Sequence, residues 1–179
     1  RFQAVLEACL VGEAKQALSQ NWRLEVLKIA LAVAALYALL RAVVVPVLDL
    51  ASAYLLGPWG LAPLAGGVLH LLVVCTAVIL GLSLLIGEEP AYKNRARLSL
   101  LEADQAVLAL VSSALIVALD LGIQAGLVWL QMLPYPALEL SHLSQLLTYG
   151  LRAILTCATV SLAVGLALEI KARELGVRR

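Results

Sequence analysis

The sequence predicts an all-α polytopic membrane protein: four transmembrane helices in one bundle, preceded by an amphipathic helix lying at the membrane surface. Three observations predict it. The 179 residues are 63% hydrophobic and 14% charged, where a soluble domain has about 45–50% and about 25%. A chain this short cannot hide such an excess in its own core, so lipid must be its solvent. Four separate stretches also carry about 20 mostly apolar residues, the length that a hydrocarbon layer of about 30 Å requires.

Residues 1–22 are the expected surface helix. Phe2, Val5, Leu6, Cys9 and Leu10 recur with the helical period and form one apolar face. Trp22 and Arg23 close it with a ring and a cation suited to the headgroup layer. Membrane lipid is the expected partner of this face; a dimerisation or partner helix is the alternative. Residues 23–179 form the bundle, with spans over about 26–48, 61–86, 105–130 and 142–170. Pro46 is expected to kink or end the first span. "DLASAYLLGPWGLAP" follows as a turn or interfacial half-helix, "GEEPAYKNRARLSLLEAD" as a polar connector, and "QMLPYPALEL" as a proline-broken connector. The first residue is Arg, so the numbering is expected to start inside a longer or processed chain.

Charge sets the orientation. The N-terminal segment (Arg1, Lys15, Arg23, Lys28), the middle connector (Lys93, Arg95, Arg97) and the tail (Lys171, Arg173, Arg178, Arg179) fall on one side, called side one here. The connectors of side two hold Asp49 and Glu139 but no Lys or Arg. The positive-inside rule puts side one, with both termini, in the cytoplasm or in an organelle's stroma or matrix.

The apolar run "IALAVAALYALLRAVVVPVLDL" contains Arg41, although a guanidinium near mid-membrane costs roughly 2.5–3.5 kcal/mol on insertion scales. With 1.5 Å of rise per residue, Arg41 falls ~10–12 Å below side two and His70 ~12–14 Å. Asp120 and Gln124 fall ~15 and ~9 Å down the third span, and Arg152 ~15 Å down the fourth. The ionisable residues of four spans thus share one layer, where Asp120 is expected to hold Arg41, with Arg152 and His70 nearby. Two guanidiniums against one carboxylate leave a positive excess that needs an anion, a lipid headgroup, a hydrated cavity or a carboxylate from another subunit. A purely structural pairing that fixes helix register is the competing explanation. Ser112, Ser113, Thr156, Thr159 and Ser161 either line a cavity or bond the carbonyl four residues before them. Gly122 and Gly126 form a G-x-x-x-G face suited to close helix packing. "YALLRA" and "YGLRA" place a tyrosine one turn before an arginine in two antiparallel spans, a pattern compatible with an inverted repeat.

Other classes find no footing. A net charge of +1, without a basic stripe, argues against a nucleic-acid partner. Cys9, Cys75 and Cys157 have neither metal-site spacing nor an even number, and are expected to be small buried apolar residues. "LAGGVLH" lacks the lysine of a phosphate loop. His142 sits at the membrane edge and His70 well inside, so the pair does not suit a haem. No cofactor and no catalytic residue are expected, and the protein is not expected to be an enzyme.

"SLLEADQAV" and "LLTYGLRAIL" resemble stretches of the YqhA-like four-span proteins of bacteria and plastids. That family's pattern implies an acidic residue in the second span, where this chain reads "LLVVCTAV", so no residue role is carried across. Two functions remain open. One is a small channel or carrier whose Arg41, His70, Asp120, Gln124 and Arg152 layer handles an anion or proton. Four helices leave little room for a wet pore, so it would work as a homo-oligomer. The other is a non-catalytic structural or assembly subunit of a larger membrane complex, its charges pairing helices or meeting a partner.

Overall fold

The computed structural model describes residues 2–87, 90–129 and 141–176. Every element in them is helical: α1 (Phe2–Gln20), α2 (Trp22–Leu56), a short 3-10 turn (Gly57–Trp59), α3 (Ala62–Gly87), α4 (Ala91–Ala103), α5 (Gln105–Trp129) and α6 (Ser141–Glu174). Four of them contain stretches long and apolar enough to cross a membrane: Trp22–Leu48, Leu64–Ile86, Gln105–Ile123 and Leu147–Glu174. Their Ala and Leu content suits helix, and in hydrocarbon a helix satisfies its own backbone groups. The connector "QMLPYPALEL" and the side chains of Asp49, Gln124, Glu139 and His142 lie outside the described residues.

α2 is the first departure from expectation. Its 35 residues run on to Leu56, so of the kink or end expected at Pro46 the end does not occur. A helix of that length is ~52 Å long, well over the ~30 Å of hydrocarbon. Proline deprives only the carbonyl four residues back of its partner, and the side chain itself is exposed. The chain reverses at Gly60, whose N–H meets the Gly57 carbonyl at 3.0 Å. Its φ of 68° lies in the left-handed region that glycine alone enters without steric cost.

The stretch expected to be a polar connector contains helix α4. Asn94, Leu98 and Leu101 fall at i, i+4 and i+7 and are buried, so a helical stripe exists despite the surrounding charges. α1 packs along α4. The basic residues of α4 hold helix ends together. Arg97 donates to the Leu85 carbonyl at 2.9 Å, near the end of α3, and contacts Glu25 of α2 at 3.2 Å. Arg95 donates to the Leu175 carbonyl at 3.3 Å, beyond the end of α6. Terminal carbonyls have no partner within their own helix, and a cation also matches the negative end of the helix dipole. Trp22 is half-buried. Its indole N–H donates to Asp104, where α4 meets α5. The start of α2, the end of α3, α4, the start of α5 and the end of α6 therefore meet at one end of the bundle.

The apolar core fills the bundle from that end. α2 and α3 approach closely at Gly81, where an added Cβ would lie 2.9 Å from Val33 Cγ2 and 3.3 Å from Val33 Cα. At Gly122 and Gly126 an added Cβ would meet nothing within 4 Å. Cys9 and Cys157, expected to be buried, are exposed, and Cys75 is half-buried; all three are free. A thiol behaves as a small hydrophobe, so an outward position on an apolar helix such as α6 carries little penalty.

Candidate functional site

Each of the four long helices brings one or two polar side chains to a common level. Asp120 of α5 stands at the centre. Arg41 Nε of α2 lies 3.1 Å from Asp120 Oδ1, and Arg152 Nε of α6 lies 3.2 Å from Oδ2. Arg152 Nη2 also donates to Oδ1 at 3.4 Å, and Tyr37 Oη donates to the same oxygen at 3.1 Å. Tyr37, His70, Asp120 and Thr156 are all buried. Arg41, His70, Asp120 and Arg152 are thus brought together. Gln124 lies one helical turn beyond Asp120, and its side chain is among those not described.

Hydrogen-bond donors fix the state of His70. Its Nδ1 lies 3.1 Å from Arg152 Nη2, which can only donate. Nδ1 is therefore the acceptor, and the ring is neutral with its proton on Nε2, assigned from partners. Nε2 then donates to Thr156 Oγ1 at 3.1 Å. The threonine hydroxyl passes its own proton to the Arg152 carbonyl at 2.8 Å. Tyr37 has spent its proton on Asp120, and it meets His70 edge to face, centroids 6.0 Å apart at 89°.

Sequence reasoning missed Tyr37 as a member of this layer, though a signal was present. A phenol inside an apolar span needs a partner for its hydroxyl, and Tyr37 precedes Arg41 by about one turn. The parallel tyrosine of "YGLRA" behaves differently: Tyr149 is exposed. Thr156 both bonds its own i−4 carbonyl and lines a cleft. Ser113 and Ser161 bond the carbonyls of Ala109 and Cys157, at 2.7 and 2.9 Å.

Directly below the polar level lies an apolar one. Val33, Val74, Ile116 and Val160 sit four residues from Tyr37, His70, Asp120 and Thr156, each displaced towards side one, and each is at most 1% exposed. Val78, Leu82, Val164 and Leu168 continue the packing along α3 and α6. The side-two half of the layer is more open. A cleft of about 520 Å³ between α3 and α6 reaches Arg41, His70 and Arg152. A second, of about 360 Å³, reaches Asp120 and Arg152 between α5 and α6. Arg152 divides the two, with 34% of its side chain exposed against 9% for Asp120.

Charge and donors are both unbalanced here. With His70 neutral, Arg41 and Arg152 exceed Asp120 by one positive charge among the described residues. Two guanidiniums bring roughly ten N–H donors to roughly five acceptor sites on a carboxylate and one imidazole nitrogen. Arg41 Nε and Arg152 Nε are buried within ion-pair distance of Asp120, yet neither N–H has an aligned hydrogen-bond acceptor. The arrangement suits an added anion.

Comparison with known protein families, curated proteins and solved structures finds no match to this chain.

Proposed function

We propose that the protein is a small integral membrane protein that binds an anion in its Arg41–His70–Asp120–Arg152 layer, working as an oligomeric channel or carrier. The supporting observation is the pair of guanidiniums on one carboxylate beside an open cleft. One arginine already neutralises Asp120, so the second guanidinium leaves one positive charge over among the described residues. A neutral His70 that accepts from Arg152 adds no negative charge to offset it. The packed apolar level beneath the layer argues against a wet path through one subunit, so passage would follow a subunit interface or a change of conformation. The Lys and Arg distribution favours both termini on the cytoplasmic, stromal or matrix side, with α1 and α4 at that interface and Gly122 and Gly126 open for contact between copies.

Anion flux into proteoliposomes tests this. Wild-type protein carries flux above empty vesicles, and Arg152→Gln lowers it with helical content and elution volume unchanged. Absence of flux in the wild type, together with co-purification of a stoichiometric membrane partner, would favour the non-catalytic subunit instead.

A further inference from the structure

The larger cleft also indicates what kind of anion fits, an inference that rests on the anion reading above. Arg41, His70 and Arg152 form its polar end. Its flanks are hydrocarbon: Leu64, Val68, Leu151 and Leu155 line it, and they are 69%, 53%, 60% and 44% exposed. These leucines and the valine lie on helices long and apolar enough to span a membrane, so their exposed faces meet acyl chains. Gly67 stands at the same opening, one turn from His70, and a Cβ there would meet nothing within 4 Å. Towards side one, the buried Val74 and Val160 follow one turn after His70 and Thr156.

A small hydrated anion would have to shed its water to pass such a mouth, and an unpaired ion in an apolar medium carries a penalty of many kcal/mol. An amphiphile dehydrates its head as well, but its tail gains contact with the apolar flanks. Its head starts at the interface and slides in sideways, while its tail stays among the acyl chains. Guanidiniums in a fork also match phosphate oxygens better than any other side chain. A phosphodiester carries one negative charge, equal to the excess in the layer.

We infer that this cleft binds an acidic phospholipid from the surrounding bilayer, its phosphodiester on Arg41 and Arg152 and its chains against Leu64, Val68, Leu151 and Leu155.

The test is native mass spectrometry of the full chain with phosphatidylglycerol or phosphatidylcholine, beside titration with inorganic phosphate. Wild-type protein keeps one phosphatidylglycerol at least about tenfold more strongly than phosphatidylcholine, whose choline cation offsets the phosphodiester's charge and is repelled by the excess positive charge of the layer. Arg152→Gln removes that preference. Gly67→Phe removes it too, with both arginines intact, because the ring fills the mouth. Leu84→Phe, at the far end of the same helix, leaves it unchanged. Equal retention of the two lipids, or undiminished preference in Gly67→Phe, overturns the inference. If inorganic phosphate binds and phosphatidylglycerol does not, the lipid inference falls while the anion site stands. If neither binds, both fall.

Discussion

Arg41 and Arg152, from the first and last spans, meet across a single carboxylate: their Nε atoms lie 3.1 and 3.2 Å from the two oxygens of Asp120. Among the described residues one acid therefore compensates two bases on three helices, and the three are not equivalent. Removing Asp120 leaves two guanidiniums without a counter-charge, whereas removing either arginine leaves a neutral pair.

Asp120→Asn is accordingly expected to lower stability by about 3–5 kcal/mol, the range for breaking a buried pair from one side. Arg41→Gln is expected to change it by less than about 1 kcal/mol, because Arg152 still faces Asp120. Unfolding in bilayers or mixed micelles measures both. Equal losses in the two variants would show that both arginines are needed for structure alone.

Tyr37→Phe deletes one donor to the charged Asp120 Oδ1 and leaves the ring in place against His70. The expected loss is about 0.5–2 kcal/mol, between the mean for hydrogen bonds inside membranes and that for bonds to charged groups. The same unfolding measurement checks it. A neutral result would mean that the hydroxyl adds nothing to the layer.

Gly81→Ala places a methyl 2.9 Å from Val33 Cγ2 and 3.3 Å from its Cα. Overpacking of this kind costs about 1–3 kcal/mol. Val33→Ala in the same chain relieves the side-chain clash but not the backbone approach, so the double variant should recover part of the loss. A double-mutant cycle measures the coupling; strict additivity would show that α2 and α3 separate freely here.

Arg97→Leu removes both the donor to the Leu85 carbonyl and one of two cations paired with Glu25. The expected loss is about 1–3 kcal/mol, chiefly from the orphaned carbonyl, since Lys28 still pairs with Glu25 at 3.1 Å. Hydrogen exchange should rise first at the end of α3, so exchange of the Leu85–Ile86 amides against those of Val74 and Val78 locates the effect.

The layer was legible in the sequence because membrane helices convert residue number into depth. Arg41, His70, Asp120 and Arg152 each interrupt an apolar run, and a fixed rise per residue sets them at similar heights. Which side chains touch is a matter of helix rotation, and counting does not give it. Tyr37 was overlooked for that reason: its ring passes for core, and only its position opposite Asp120 makes the hydroxyl part of the site. α4 escaped for a different reason. Its stripe of Asn94, Leu98 and Leu101 is short, and Lys93, Arg95 and Arg97 dominate its composition. Pro46 does not end α2, because one missing backbone bond is a small perturbation within a helix of 35 residues. The clefts could not be foreseen, since they depend on where neighbouring helices part.

The central claim is that the excess positive charge between α2 and α6 is met by the phosphodiester of an acidic lipid. Dipolar coupling between lipid phosphorus and the guanidinium carbons of Arg41 and Arg152, in phosphatidylglycerol bilayers, measures it most directly. Coupling to both carbons at contact range, abolished by Gly67→Phe, is the predicted result. Phosphorus coupled only to the basic residues near α4, with none at Arg41 or Arg152, would contradict it.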